Sequence, residues 1–359
     1  MPISHFTARN FRCLESIELD PDPNYNLIFG RNASGKTSVV EAIAYLGRGK
    51  SFRGASTNEL IRHGEQEFVL FGHAEAGERF AKVGARNGHA GLETRVDGEK
   101  NGGAAALAAA LPLQIIDPDV HELVAGAPEQ RRRYLDWIAF HVEHEFLGAW
   151  RRFRRTLKQR NAALRSGAAA TSLEGWNAEF AELAAQVDLA RRAALGAVIG
   201  GLEEAGQELL GHKTGFDYRP GWNEEKGLLR ALEESTERDR QQGSTQYGPH
   251  RADLILRYDD RRAHKLVSRG QQKLLACAMI LAATEAAQTA LKRPLLLLLD
   301  DPSAELDSDA LSRLMRRVVD LGSQVIATSL VPDVPLFPDA GRVFHVEHGA
   351  LKRAKSRPK

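Results

Sequence analysis

The chain has 359 residues and a mass of 39.5 kDa, 43% hydrophobic and 27% charged, which suits two or three soluble globular domains. Its net charge of +2 excludes a partner chosen by global charge, so any affinity for nucleic acid has to be local. Cys13 and Cys277 are too few for a disulfide framework and fit a reducing compartment.

The opening MPISHFTARNFR carries no apolar signal core. The run Leu274–Ala283 falls short of the roughly 20 apolar residues that cross a bilayer. A cytoplasmic protein without a membrane partner is expected. HFTARNF, ESIEL and YNLIF alternate as short strands, and TSVVEAIAYLG repeats its apolar positions at helical spacing. FVLFGHAEAG, RFAKVGA and LETRVDGE read as a meander with glycine turns. GGAAALAAAL is helix-prone, and LPLQIIDPD is a buried strand.

From about residue 128 to 240 glycine thins and long helices take over. Phe146, Trp150, Phe153, Leu157 and Leu164 share one helical face; Trp176, Phe180, Leu183, Val187, Ala190 and Ala194 share another. With a reversal at SGAAAT, they predict an antiparallel helical hairpin. Beyond residue 245 the α/β pattern returns: RADLILRY, PLLLLLDD and SQVIATS as strands, RGQQKLLACAMILAATEAA and DSDALSRLMRRVVDL as helices, RVFHVEHGAL as a closing hairpin. The expected division is 1–127 and 241–350 for one α/β domain, 128–240 for an inserted helical domain, and 351–359 for a basic disordered tail.

GRNASGKT fits G-x-x-x-x-G-K-[ST] through Gly30, Gly35, Lys36 and Thr37, between an apolar strand and a helix. Glycine lets successive N–H groups point inward at phosphate oxygens, and the free N–H groups of the following helix add positive charge. Lys36 would sit between the β- and γ-phosphates, and the Thr37 hydroxyl on Mg²⁺. In PLLLLLDD, Asp300 would hold the metal through its water shell and Asp301 would polarise the attacking water. Aspartate is one methylene shorter than glutamate, so slow hydrolysis is expected.

VSRGQQK precedes a long helix, where Ser268 and Gly270 suit a helix cap and also a second anion site. The order of phosphate loop, long insertion, S-x-G-Q, apolar strand with two acids and AELD is that of the ATP-binding cassette class. The fold class predicted is therefore α/β, a cassette-type P-loop ATPase head of mixed β-sheet with flanking helices, carrying an inserted helical hairpin.

NFRCLESIEL, GRNASGKTSVVEAIAYLGRGKSFR, PDVHELVAGAPEQRRRYLD, YGPHRADL, SRGQQKLL and LLLDDPSAELD occur in the order of the RecF family, recombination-mediator ATPases related to SMC proteins, and the chain resembles that family over nearly its whole length. The resemblance implies ATP contacts from Gly30, Arg31, Asn32, Ala33, Ser34, Gly35, Lys36, Thr37 and Ser38, with Arg12 near the phosphates. Thr37 and Asp300 would hold Mg²⁺. Lys36 and Asp301 would act in catalysis, and Ser268, Arg269, Gly270 and Gln271 would reach ATP across a homodimer. It further implies a weak, DNA-stimulated ATPase of recombinational repair and replication restart, with RecR and RecO as partners in loading RecA.

Three positions depart from the pattern. Ala33 stands where glycine is usual, which costs about 1 kcal/mol if φ is positive. Ala304 replaces a serine before ELD, and Thr328 or Ser329 occupies the place of the transporters' switch histidine. Gln114 is the nearest candidate for a glutamine loop.

Arg151, Arg152, Arg154, Arg155, Lys158, Arg160 and Arg165 form a run of seven basic residues without an acid. Arg151, Arg154, Arg155 and Lys158 lie on one helical face, and the strip extends to Arg165 over ~20 Å, matched to sequence-independent phosphate contacts. The alternatives are the cytosolic ATPase of a membrane transporter, against which the hairpin and the missing histidine argue, and a small-molecule kinase, which has no use for SRGQ.

Overall fold

The computed structural model describes residues 2–77, 79–100, 102–167, 170–259, 261–263, 267–332 and 341–354, the side chains of 76, 170–172 and 174 aside. The chain begins with strands β1 (Ile3–Phe11), β2 (Leu14–Leu19) and β3 (Tyr25–Phe29), then helices α1 (Lys36–Arg48) and α2 (Thr57–Leu60). Strands β4 (Glu67–Ala76), β5 (Arg79–Gly88), β6 (Gly91–Val96) and β7 (Glu99–Lys100) follow, then α3 (Gly103–Ala110) and β8 (Leu113–Ile116). Next come α4 (Glu122–Ala125), α5 (Pro128–Val142), α6 (Phe146–Arg165), α7 (Ala170–Leu210) and β9 (Thr214–Arg219). Then come α8 (Leu228–Glu234), α9 (Thr236–Gln242), β10 (Asp253–Tyr258), β11 (Arg261–Arg262) and α10 (Arg269–Leu291). The chain closes with β12 (Leu296–Leu299), α11 (Ser308–Asp320), β13 (Gln324–Ser329), β14 (Arg342–Glu347) and β15 (Ala350–Arg353).

These elements form two compact units, residues 1–120 with 292–359, and residues 121–291. The first unit holds two six-stranded sheets. One is antiparallel in the order β2-β1-β4-β5-β6-β7, the meander read from sequence. The other runs β15-β14-β3-β13-β12-β8 and is parallel except for β15. Its central strands are buried on both faces, which is why they read as unbroken apolar runs such as LLLLL. Helix α1 buries Val39, Val40, Ile43 and Leu46 in a core shared with Phe6, Phe11, Phe68, Ile326 and Leu298. Strand β15 takes residues 351–353 out of the expected tail. His348 and Gly349, at φ 49° and 75°, make the turn that pairs Leu351 with Val346. Residues 355–359 lie outside the described residues.

The second unit is larger than the 128–240 insertion expected. Helices α6 and α7 pack as the predicted hairpin, their reversal including residues 168 and 169, which lie outside the described residues. Helix α7 runs 41 residues and buries Phe180, Leu183, Val187, Ala194, Val198, Leu202, Ala205 and Leu209 at helical spacing. The unit continues to residue 291 because β10 pairs antiparallel with β9, and α10 packs along α7 and α5. Strand β9, TGFDYR, lacks the apolar alternation that would announce it. By length and composition α10 is apolar enough to cross a membrane, but its Leu274–Thr284 stretch is buried among these helices.

Candidate nucleotide-binding site

In a parallel sheet the carboxyl ends of the strands carry the ligand, and in the first unit those ends converge. Strand β3 runs into Gly30, β12 into Asp300 and Asp301, and β13 ends on Thr328 and Ser329. Asp300, Asp301, Thr328 and Ser329, together with Asn32–Ser38, Cys13, Arg53 and Leu330, line a cavity of about 290 Å³. Gly35 sits at φ 112°, and a Cβ there would stand 3.1 Å from Cys13 Sγ; a Cβ on Gly30 would stand 2.4 Å from the Val346 carbonyl. Both glycines are thus demanded by backbone shape or by close approach. Ala33 adopts φ 61°, so the strain attached to a Cβ at this position is present.

The cavity is chemically fitted to a phosphate and its cation. Lys36 Nζ donates to the loop's own carbonyls, Gly30 O at 2.7 Å and Arg31 O at 3.0 Å. The Ser34 hydroxyl is buried without a hydrogen-bond partner among the described residues, an orphan that an anion would satisfy. Thr37 Oγ1 and Thr328 Oγ1 both donate to Asp300 Oδ1, at 3.1 and 2.9 Å, and Thr328 Oγ1 accepts the Asp301 N–H at 2.9 Å. Asp301 is held at φ 46°, and its carboxylate accepts from the Ser303 hydroxyl at 3.0 Å.

Burial pushes the Asp300 carboxyl above its ordinary range against the pull of the Thr328 and Thr37 hydroxyls; Asp301 adds to the rise and Arg53 opposes it. Burial lowers the Lys36 ammonium, which Asp301 and Asp300 draw back up. A buried carboxylate beside a hydroxyl is an oxygen donor set suited to Mg²⁺. A divalent cation would relieve the burial that raises Asp300.

The residues marked in the sequence divide into those brought together and those not. Asn32, Ala33, Ser34, Gly35, Lys36, Thr37, Ser38, Asp300 and Asp301 line the cavity; Gly30 and Arg31 support it through their carbonyls. Arg12 does not line it. Its guanidinium forks onto Glu41 at 2.8 and 2.9 Å, and Ser51 donates to the same carboxylate at 2.5 Å. Glu41 is fully buried on α1, and a buried carboxylate claims the nearest fork.

Gln114 is no loop residue. It lies inside β8, 3% exposed, accepting from Arg48 Nη2 at 3.1 Å. Beyond β8, burial and the neighbouring Asp119 push Asp117 to about 6. Sequence reasoning misses Arg53 and Thr328 as site residues, although GKSFR and the switch position both point near them. Cys13, beside the reassigned Arg12, carries no signal of its place.

Ser268, Arg269, Gly270 and Gln271 open α10 in the second unit. The Gln271 N–H donates to Ser268 Oγ at 3.3 Å and the Ser268 N–H to Gln271 Oε1 at 2.9 Å, a reciprocal capping box. Ser268 and Arg269 are exposed there.

On α6, Arg151, Arg154, Arg155 and Lys158 are all exposed, and none pairs with a carboxylate among the described residues. Arg160 departs from the run. It is 0% exposed, bonded to Asp239 at 2.7 Å, Thr245 at 2.7 Å and Asn177 at 3.1 Å. It is a structural strut, and the seven-residue basic run loses it as a surface charge, while the strip of Arg151, Arg154, Arg155 and Lys158 is untouched.

The family model described as RecF/RecN/SMC N terminal domain matches residues 2–350. The DNA replication and repair protein RecF of Pseudomonas aeruginosa is 38% identical over 363 residues, covering 98% of each chain. That of Shewanella baltica is 36% identical over 358 residues, covering 98% of this chain and 99% of the other. Among solved structures, the recombination mediator protein RecF with ATP, of the RecFOR pathway, superimposes with a TM-score of 0.88 at 25% identity over 99% of this chain and 98% of that one. An Smc head bound to the C-winged helix domain of ScpA gives 0.60 at 14% identity over 99% and 97%, a likeness of fold.

Proposed function

The chain belongs to the RecF branch of the RecF/RecN/SMC family, and from that premise we propose that it is an ATP-binding, DNA-associated ATPase of replication and recombinational repair. The observation that carries this reading is the cavity at the strand ends, where Lys36, Thr37 and Asp300 meet an orphaned Ser34 hydroxyl. The loop amides, Lys36 and Ser34 would bind the triphosphate, with Arg53 as a further cation at the cavity wall. Thr37 and Asp300 would hold Mg²⁺, which supplies charge neutralisation at the β- and γ-phosphates. The Thr37 hydroxyl already points its hydrogen at Asp300, which leaves its oxygen lone pairs for a metal. Asp301 would orient the attacking water.

In this reading the cap Ser268–Gln271, with Ser268 and Arg269 exposed, completes the site of a second copy, so ATP joins two molecules and hydrolysis parts them. DNA would lie on the α6 strip of Arg151, Arg154, Arg155 and Lys158 through phosphate contacts without base reading. By kinship with proteins of the RecFOR pathway, RecR and RecO would be its partners in loading RecA, and the cytoplasm its compartment.

Two variants test the reading. Lys36→Met is expected to abolish binding of a fluorescent ATP analogue and ATP-dependent dimerisation in sedimentation; dimerisation that survives refutes the site. Ser268→Arg is expected to leave ATP binding by the monomer intact and to block the dimer. Loss of monomer binding in that variant would refute the cross-subunit role.

A further inference from the structure

Away from the nucleotide cavity, the outer face of the antiparallel sheet gathers three metal-ligating side chains at the open end of the β1–β2 hairpin. His5 on β1 pairs across the ladder with His73 on β4, their rings 5.3 Å apart. On its other side the Phe6–Leu19 pairing brings Asp20, just past β2, opposite His5, with Glu18 two residues back on the same face. His5 Nδ1 lies 2.8 Å from Asp20 Oδ1 and 3.9 Å from Glu18 Oε1, and the three ligand atoms fall within 4.8 Å of one another. A register shift between Ile3 and His5 produces this arrangement. It lets Ile3 and Phe6 both face the core while His5 turns outward.

We propose that His5, Glu18 and Asp20 form a binding site for a borderline divalent cation of the Zn²⁺ class. The donor set of imidazole and carboxylate is that of zinc rather than of Mg²⁺ or Ca²⁺. Ligands around a tetrahedral zinc stand about 3.4 Å apart, from bonds of about 2.1 Å. The gap from 3.9 Å closes by a small swing of Glu18, whose side chain is 69% exposed. Neither carboxylate side chain pairs with lysine or arginine among the described residues, although Arg342 Nη1 donates to the Asp20 main-chain carbonyl, so two negative charges converge on one imidazole. The cation binds the His5 tautomer that carries its hydrogen on Nε2, leaving the Nδ1 lone pair free. A cation here pins the open end of the β1–β2 hairpin, whose turn carries Cys13 into the phosphate cavity.

The test is calorimetric titration of the full chain with Zn²⁺ in the absence of nucleotide, followed by Co²⁺ absorption spectra. The chain has 12 histidines, so the comparison of variants decides. Asp20→Asn and His5→Gln are expected to weaken the tightest zinc event at least about tenfold and to erase the zinc-dependent rise in Tm. His212→Ala, which removes an equally paired surface histidine 2.8 Å from Asp259, is expected to change neither. No saturable zinc uptake, or the same uptake in wild type and Asp20→Asn, overturns the site; so does loss of uptake in His212→Ala alone. Asp20 is 60% exposed, so its amide variant tests binding without threatening the fold.

Discussion

Arg12 offers the sharpest contrast between a phosphate contact and a structural ion pair. Its fork satisfies Glu41, whose side chain is 0% exposed, while Arg12 itself keeps 22% of its side chain in water. Removing one partner of a buried pair strands the other charge, at about 3–5 kcal/mol. Because Arg12 is partly hydrated and Ser51 still donates to Glu41, Arg12→Ala is expected near the low end, about 3 kcal/mol. The double variant Arg12→Met/Glu41→Leu is expected to recover most of that loss, since two apolar chains leave no stranded charge. Hydrogen exchange over residues 36–53 under urea reads the first unit. Tryptophan fluorescence reads the second, which holds Trp137, Trp150, Trp176 and Trp222 and should not move. A stability loss under about 1 kcal/mol together with weakened ATP binding would refute the structural reading and return Arg12 to the phosphates.

The α6 strip and its buried neighbour should separate cleanly. Arg154→Glu with Lys158→Glu is expected to lower DNA affinity and to reduce the slope of log K against log salt by about 1 for each phosphate interaction removed, measured by fluorescence anisotropy. Arg160→Ala is expected to destabilise the second unit by about 3–5 kcal/mol, measured by urea unfolding. His250 gives a pH signature. Burial holds it near 4 rather than 6.5, its Nε2 faces the Thr245 carbonyl at 2.9 Å, and Arg251, Arg132 and Arg160 oppose a further charge. Its folded value is depressed, so between pH 6.5 and about 4 the unfolded chain binds the extra proton. Stability is then lost as pH falls through that window, by about 3 kcal/mol, and His250→Gln is expected to flatten the fluorescence-detected midpoint there.

The phosphate loop was legible because its chemistry fixes residue types at fixed spacing, and the central strands because burial on both faces writes an apolar run. The α6–α7 hairpin followed from helical periodicity, and the same periodicity already distinguishes Arg160. Nine residues from Arg151, at about 100° each, it lies on the opposite side of the helix. A count of basic residues in a row hides what the helical wheel shows. Arg12 and Gln114 were misplaced for a different reason. Their true partners, Glu41 and Arg48, lie 29 and 66 residues away in the chain, and nothing local marks a buried pair. The extent of the second unit was missed because β9 is polar and pairs with β10 across α8 and α9.

Thr328 is where the two halves of the proposed catalytic machinery meet. One hydroxyl donates to Asp300, the proposed metal carboxylate, and accepts from the backbone of Asp301, the proposed water-orienting residue. It therefore fixes the carboxylate and the strained backbone at φ 46° relative to each other. In cassette transporters a histidine stands at this place; a hydroxyl that is both donor and acceptor can instead hold two neighbours at once. Thr328→Val keeps the shape and removes both bonds; Asp300 keeps the Thr37 hydroxyl, while the Asp301 N–H loses its acceptor at about 1–3 kcal/mol of local stability. Positioning through Thr328 predicts that ATP affinity stays within about twofold while turnover falls at least about tenfold, and that Thr328→Ser restores it. A valine variant that loses binding and turnover in equal measure would make Thr328 a direct nucleotide contact and dissolve the link between the two aspartates.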